Sequence, residues 1–436
     1  MTIFAKKSMF KKSMLVALMG TSLLLAACND DKDDNNQPPV SEYSKNYIGE
    51  TAFKKVDGTA IDSLENAASI EVMRYYMPSV LDKKVEATAL IMIPKTPMPK
   101  DGWRVVVWEH GTIGNGDQCA QSRNAFNPRM KAMSEALLKD GYVILAVDYE
   151  GSGSKGTHPY LNVKSEALSA IHAVNAFKDG YGAKVNGAWM SVGQSQGGNA
   201  SIGTAEYAND DPNFKGAVAG APASSLGYII EKVAPIGIGQ LEQLDISKGT
   251  AIKDRTSVAV YATLLSYGAL AGEGILAYKP DFDYGLLFED ASKRAAKLAH
   301  GTNGDDGLCL APLTQEYIND ITAFMEADPT RKVMDFPGIN HKEMNSNPVI
   351  QDFLAAVSQP GLKPISKPLL VIQGKADSNV PLVVTQGLVK SIQAKNPDNK
   401  KIEIIEVDGA GHTEAIDWKR AELVAFIKKH MPNPAS

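Results

Sequence analysis

The chain has 436 residues, of which 44% are hydrophobic and 22% charged, a composition that is ordinary for a soluble globular protein. Its formal net charge of -5 argues against a nucleic-acid-binding protein, which needs a basic surface to neutralise phosphates. The sequence lacks metal-ligand spacings such as H-E-x-x-H or C-x-x-C, so we expect neither a metal nor another cofactor. The chain is longer than one hydrophobic core usually supports, which predicts one large domain with a substantial insertion.

Residues 1–28 have the pattern of a signal segment. Four lysines (Lys6, Lys7, Lys11 and Lys12) precede an apolar run over residues 14–25 that is too short for a permanent transmembrane helix. The junction Leu25-Ala26-Ala27-Cys28 resembles a bacterial lipoprotein signal, in which the cysteine becomes the acylated first residue. We therefore predict export to the bacterial cell envelope, periplasmic or cell surface, with a lipid anchor on Cys28 that holds the protein at a membrane. Cleavage near Ala27 with Cys28 unmodified is the alternative.

Residues 29–45 are acidic and rich in Asn, and they contain two prolines. Such a segment cannot bury enough apolar surface to fold, so we predict a disordered spacer between the anchor and the folded domain. A calcium-binding loop is the weaker interpretation, because the segment lacks an EF-hand register.

From Val85 onward, short apolar runs alternate with amphipathic segments. This alternation is typical of an α/β fold in which helices cover both faces of a mostly parallel central sheet. Strands are predicted over residues 85–93, 104–108, 142–147, 187–192, 215–221, 368–372 and 401–407, and helices around residues 130–137 and over 165–179, 196–207 and 414–430.

The pattern changes after Pro222, where four helical segments follow without a strand of similar quality. They cover residues 257–278, 289–300, 312–327 and 347–358. We predict a helical cap over residues 225–363, inserted into a core formed by residues 46–224 and 364–436. The apolar stretch YATLLSYGALAGEGILAY within the cap either packs inside it or lines a surface for an acyl chain.

The stretch SVGQSQGGNA places Ser195 in a G-x-S-x-G pattern between a predicted strand and a predicted helix. A sharp strand-to-helix turn brings backbone segments close together, and Gly193 and Gly197 avoid side-chain clashes there. The start of the helix supplies N–H groups and a positive dipole end. This context favours a nucleophilic serine over a flexible Gly/Ser loop.

A serine nucleophile needs a base that is oriented by an acid. His412 follows the strand 401–407 in a tight glycine-containing loop, and Asp377 follows the strand 368–372, 35 residues earlier. The order Ser195, Asp377, His412 is the one expected of an α/β-hydrolase. Asp408, at the end of the strand before His412, is the alternative acid.

Acyl transfer also needs hydrogen-bond donors for the oxyanion that forms on the substrate. We predict the backbone N–H of Gln196, directly after the nucleophile, and that of Thr112, in the loop after the strand 104–108. His110 in the same loop is predicted to brace it by hydrogen bonding.

Apart from Cys28, the sequence contains only Cys119 and Cys309. In an oxidising compartment a disulfide between them is plausible, and two buried thiols are the alternative.

Five ordered motifs resemble the secretory lipase family of α/β-hydrolases: HGT at residues 110–112, DYEGSG at 148–153, GQSQGG at 193–198, KAD at 375–377 and GAGH at 409–412. The similarity runs from about Arg104 to Met431. It implies a serine esterase or lipase with a helical cap, and it carries the family's triad onto Ser195, Asp377 and His412. Gln194 stands before the serine, where Tyr or His is more usual.

The predicted function is hydrolysis of a small-molecule or lipid ester through an acyl-enzyme intermediate. The same triad could cleave peptides, as a serine peptidase or aminopeptidase, with Glu150 holding a peptide terminus; a surface carboxylate is the simpler interpretation of Glu150. It could also deacylate glycans. A non-catalytic binding lipoprotein on a hydrolase scaffold is the remaining alternative.

Overall fold

The computed structural model describes residues 46–434. The predicted signal segment with Cys28 and the predicted spacer lie outside the described residues. All described residues belong to one compact unit.

A nine-stranded sheet forms the centre of the molecule, with the strand order β1-β2-β3-β5-β4-β6-β7-β8-β9. The first three strands are antiparallel to their neighbours, and β4 to β9 are mutually parallel. The strands are β1 Tyr47–Ala52, β2 Ala67–Pro78, β3 Lys84–Pro94, β4 Trp103–Glu109, β5 Val143–Val147, β6 Val185–Gln194, β7 Phe214–Gly220, β8 Leu369–Gly374 and β9 Ile402–Val407.

The predicted α/β fold is confirmed, and each of the seven predicted strands is present with small shifts at its ends. The sequence pattern did not predict β1 and β2. In β2 only Met73, Tyr75 and Met77 are buried, and the other positions are exposed or partly exposed. A half-exposed antiparallel strand of this kind lacks the continuous apolar run that marks the central parallel strands.

Helices cover both faces of the sheet. One face packs against α2, α3 and α11, and the other packs against α1, α12 and α13. The bounds are α1 Pro128–Lys139, α2 Val163–Tyr181, α3 Gln196–Tyr207, α4 Leu226–Tyr228, α5 Ala234–Ser247, α6 Thr256–Tyr278, α7 Asp290–His300, α8 Leu310–Glu326, α9 His341–Ser346, α10 Pro348–Asp352, α11 Leu382–Lys395, α12 Glu414–Trp418 and α13 Arg420–His430.

Two predicted helices are divided in the structure. The helix predicted over 414–430 is interrupted at Lys419, whose backbone leaves helical geometry at φ -101° and ψ 20°. The helix predicted over 347–358 is α10 followed by a π-helical turn, Phe353–Val357.

Between β7 and β8 the described chain contains helices and no strand, as the sequence pattern predicts. Their apolar side chains form a separate hydrophobic cluster around α6. Among the described residues, α6 alone is long and apolar enough to cross a membrane, but 67% of its most apolar window is buried inside the protein. Its apolar side chains pack within the cap, and some of them, such as Leu264 and Ile275, also line a cavity at Ser195. The bounds 225–363 for the cap remain a prediction.

The predicted disulfide is present and joins the loop after β4 to the cap. Cys119 and Cys309 are 190 residues apart in sequence. Closing a loop of this length stabilises the folded chain by about 5 kcal/mol in the chain-entropy model. Near the bond, the Leu310 N–H donates to the Ile113 carbonyl, and the Asn115 amide donates to Glu273. The loop that contains Thr112 is thus tied to the cap.

Candidate active site

Ser195 lies in a strained turn between β6 and α3. Its backbone has φ 62° and ψ -116°, a conformation that is rare for a residue with a side chain. A Cβ on Gly193 would overlap the Gly197 carbonyl, and a Cβ on Gly197 would overlap the Glu109 carbonyl. The Ser195 N–H donates to the Gly220 carbonyl at 2.8 Å, which fixes the turn against β7. The glycines therefore permit a tight turn here and do not mark a flexible loop.

Ser195, His412 and Asp377 form one hydrogen-bonded chain. His412 Nε2 lies 2.9 Å from Ser195 Oγ, and His412 Nδ1 lies 2.8 Å from Asp377 Oδ2. The three residues follow β6, β9 and β8, so the carboxyl ends of three parallel strands bring them together. This arrangement can transfer the serine proton to the imidazole while the carboxylate fixes the ring.

Asp408, the alternative acid, is not part of this chain. Its carboxylate pairs with Lys375 Nζ at 2.8 Å, and its side chain is 90% exposed. The geometry favours Asp377, because Asp408 directly follows β9 and is exposed, whereas Asp377 Oδ2 is within hydrogen-bond distance of His412 Nδ1.

The Asp377 carboxylate is held by three donors. Oδ1 accepts the N–H groups of Asn379 and Val380, each at 2.9 Å, and Oδ2 accepts the Gln373 amide at 2.9 Å. Thr385 in turn donates its hydroxyl to Gln373 Oε1. These bonds fix the orientation of the carboxylate and the position of the oxygen that faces His412. Gln373 could not be identified from the sequence, because its role depends on how the segment after β8 folds back onto the strand.

Gln194 holds the loop of the proposed base. Its side-chain amide donates to the His412 carbonyl at 3.0 Å. The residue before the nucleophile, which differs from the usual Tyr or His of the resembled family, thus connects the Ser195 turn to the His412 loop. Sequence analysis noted the difference but not this contact.

The two predicted oxyanion donors lie beside Ser195. Gln196 is the first residue of α3, and Thr112 lines both cavities that reach Ser195. Within residues 46–434, neither backbone N–H donates a hydrogen bond. The Thr112 hydroxyl lies 2.7 Å from the Tyr160 hydroxyl, which fixes its side chain. Their role as oxyanion donors remains a prediction.

His110 makes the local hydrogen bond that the sequence suggested. Its Nδ1 lies 2.8 Å from the Gly111 carbonyl, and the Tyr149 hydroxyl donates to the His110 carbonyl. Burial lowers the pKa of His110 to about 4, so its ring is neutral near pH 7. His110 therefore supports the loop and is not within the Ser195 chain.

Glu150 is buried, so its interpretation as a surface carboxylate was wrong. Its two oxygens accept the Val80 N–H, and it also accepts the Ser165 hydroxyl. Burial raises its pKa to about 7. Glu150 is not among the residues that line the cavities at Ser195, because its contacts direct it toward β2 and α2.

A buried polar network lies behind the nucleophile turn, and the sequence did not predict it. The Gln196 side-chain amide donates to Glu166 Oε1 at 2.8 Å and lies 3.0 Å from His158 Nε2. The Leu161 N–H donates to the same Glu166 oxygen, whereas Oε2 is buried without a partner among the described residues. Burial raises the pKa of Glu166 to about 8.

The substitution Glu166→Gln is expected to remove part of the pH dependence of stability. The folded-state pKa lies above the ordinary value of 4.5, so the folded chain binds the extra proton, and stability falls as pH rises from about 4.5 to about 8. An amide keeps the acceptor oxygen and does not titrate. In urea unfolding at pH 5 and pH 8.5, the free energy of unfolding of the variant, relative to that of the wild type, should therefore be higher by about 1–4 kcal/mol at pH 8.5 than at pH 5. The exposed Glu326→Gln is the control, and equal pH dependence of Glu166→Gln and wild type would contradict the expectation.

Two cavities of different character meet at Ser195, His412 and Thr112. The smaller, of about 90 Å³, lies beneath the cap and is lined mainly by apolar side chains such as those of Leu226, Ile230 and Phe353. The larger, of about 230 Å³, has polar lining residues that include Gln121, Asn127 and Arg129. A substrate with one apolar and one polar end can thus span the reactive serine.

The sheet order, the turn at Ser195 and the triad geometry together define a protein of the α/β-hydrolase fold. Residues 129–237, which include the Ser195 turn, match the family model described as Secretory lipase. The resemblance to this family is confirmed over that segment. By sequence, the chain matches none of the curated proteins.

Solved structures of several hydrolases share the fold. Lipase A of Candida antarctica in its closed state is 16% identical, with a TM-score of 0.62 over 92% of this chain and 87% of that one. A putative hydrolase of Legionella pneumophila is 17% identical, with a TM-score of 0.59 over 89% and 98% of the two chains. The ligand-bound rice cell wall degrading esterase LipA of Xanthomonas oryzae is 17% identical, with a TM-score of 0.58 over 88% and 96%. The family match and these neighbours support the predicted carboxylic ester hydrolase.

Proposed function

We propose that the protein hydrolyses carboxylic esters with Ser195 as the nucleophile. His412 accepts the hydroxyl proton as Ser195 Oγ attacks the ester carbonyl carbon, and Asp377 keeps the imidazole in the tautomer that leaves Nε2 free to accept it. The carbonyl oxygen becomes an oxyanion, which the N–H groups of Gln196 and Thr112 stabilise.

Collapse of this intermediate breaks the bond to the alcohol oxygen, and His412 donates its proton to the departing alcohol. The acyl group is then an ester of Ser195. Water attacks the carbonyl carbon of that ester while His412 accepts a proton from the water. The bond from this carbon to Ser195 Oγ then breaks, His412 donates the proton to Oγ, and the carboxylic acid is released. His412 acts first as base and then as acid in each of the two steps, and it returns to its neutral form when the serine hydroxyl is restored.

The observation that carries this proposal is the continuous hydrogen-bonded chain Asp377–His412–Ser195 at the junction of two cavities. The apolar cavity beneath the cap suits an acyl chain, and the polar cavity suits the alcohol. Transfer of a hydrocarbon chain out of water lowers the free energy, whereas an alcohol with further hydroxyl groups needs polar partners when it is buried.

We also propose that the enzyme acts outside the cytoplasm, anchored by a lipid on Cys28. The Cys119–Cys309 disulfide supports export, because such bonds persist in oxidising compartments. Mass spectrometry of the N-terminal peptide from the native membrane fraction tests the anchor. An unacylated Cys28 would contradict it.

A fluorophosphonate probe followed by peptide mapping tests the nucleophile. The expected result is a single adduct on Ser195 and loss of hydrolysis in proportion to labelling. An ester series from acetyl to palmitoyl, measured beside aminoacyl amides and acetylated sugars, tests the substrate class. Higher kcat/KM on simple esters supports the proposal; preference for aminoacyl amides would indicate a peptidase, and preference for acetylated sugars a glycan esterase.

A further inference from the structure

Tyr267 of α6 lies where three cavities meet. It lines the apolar cavity and the polar cavity at Ser195, and it also lines a third cavity of about 600 Å³ between α5, α6 and the Asp377 loop. The apolar cavity and this third cavity, called here the α5 groove, share four lining residues: Ile229, Leu264, Tyr267 and Asn379. These side chains form the wall between the two spaces.

The sizes of the two spaces bear on acyl length. The apolar cavity has a volume of about 90 Å³, far below the roughly 300–1,000 Å³ of most small-molecule sites. By itself it therefore accommodates only a short acyl group. The α5 groove, at about 600 Å³, falls within that range. Its lining is rich in aliphatic side chains, among them Ile236, Leu241 and Leu244.

The α5 groove also reaches the surface. Ile236 is 64% exposed and Leu244 48% exposed, although both are large apolar side chains. A hydrocarbon chain in this groove would cover them and remove their apolar surface from water, a gain of about 25 cal/mol per Å². The groove can thus take the distal part of an acyl chain whose carbonyl end lies at Ser195.

We propose that Tyr267 sets the acyl-chain length that the site accepts. In the observed position its ring separates the apolar cavity from the α5 groove, and with the ring displaced or removed the two spaces join. A chain that starts at Ser195 then continues into the groove. The inference rests on the proposed ester hydrolase function and deepens it by naming the residue that limits the acyl group.

Tyr267 is the member of the wall best suited to this role. Asn379 is fixed by its N–H bond to the Asp377 carboxylate, so its movement would disturb the proposed acid. Ile229 packs in a small cluster with Val380 and Val384. The Tyr267 side chain is only partly buried and contacts Asn379 through its hydroxyl, and it donates none of the three bonds that hold the Asp377 carboxylate, so its replacement leaves the proposed acid in place.

The experiment compares acyl-chain profiles from acetyl to palmitoyl esters. For Tyr267→Ala we expect the ratio of kcat/KM for C12–C16 esters to that for C2–C4 esters to rise at least tenfold over wild type. Tyr267→Leu, which removes the ring but leaves a smaller void than alanine, should shift the ratio in the same direction. Tyr267→Phe keeps the ring and should change the ratio less than threefold.

Tyr261→Phe is the matched control on the same helix. Its hydroxyl donates to the Phe336 carbonyl, away from the three cavities, so the chain-length profile should not change. Unchanged profiles in Tyr267→Ala and Tyr267→Leu, with fluorophosphonate still labelling Ser195, would overturn the inference alone. No ester hydrolysis and no Ser195 labelling in the wild type would overturn the proposed function and the inference together.

Discussion

The substitution Ser195→Ala is expected to lower turnover on esters by about 10⁴-fold or more, with little change in stability. The hydroxyl supplies the bond-forming oxygen of the proposed reaction, and no other described hydroxyl is 2.9 Å from His412 Nε2. The cost to folding is small because Ser195 Oγ makes one hydrogen bond, to His412, and the backbone bond to Gly220 is retained.

Ser191→Ala is the control for this prediction. Ser191 is a buried serine of β6, the strand that precedes Ser195. Its hydroxyl lies 2.9 Å from the Ser201 hydroxyl, and neither serine lines the two cavities at Ser195. Its removal costs about 1 kcal/mol of stability and leaves turnover near that of the wild type. Steady-state kinetics with urea unfolding of both variants provides the measurement. Wild-type turnover in Ser195→Ala would show that another group is the nucleophile.

The part of the site that could be predicted from sequence is the part encoded locally. Ser195 and Asp377 follow apolar runs that end in fully buried residues, and His412 follows the edge strand β9, in which Glu403 and Glu406 are exposed. Parallel strands place their carboxyl ends at one edge of the sheet. Once the runs are recognised, the ends of β6, β8 and β9 must lie near one another. The glycine pattern then distinguishes the nucleophile turn from the other two loops.

The part that could not be predicted depends on contacts between distant segments. Glu166 meets Gln196 because α2 packs against α3, and Tyr267 meets Asn379 because the cap folds over the Asp377 loop. Neither pair has a sequence spacing that links its members. The strands β1 and β2 were missed for a different reason, because their polar, partly exposed faces weaken the hydrophobic signal.

Gly197→Ala is expected to destabilise the protein by more than about 3 kcal/mol, because overpacking a close-packed site costs about 1–3 kcal/mol and more where backbone must move. The added Cβ would overlap the Glu109 carbonyl at the end of β4, and both groups belong to rigid backbone in the sheet and in α3. Relief requires that α3 shift away from β4, which moves Ser195 and the Gln196 N–H. We therefore also expect slower fluorophosphonate labelling, since a displacement near 1 Å costs about 100-fold in rate.

Gly387→Ala provides the same substitution where space is free. Gly387 lies in α11, its ideal Cβ would meet no atom within 4 Å, and its backbone is helical. Alanine is favoured over glycine inside a helix by about 0.5–1 kcal/mol, so this variant should be more stable than the wild type. The two glycine-to-alanine substitutions are thus expected to change the free energy of unfolding, measured with urea, in opposite directions. Equal stability of the two variants would mean that the Ser195 turn can relax without cost, and that its glycines are not required by the close approach of β4 and α3.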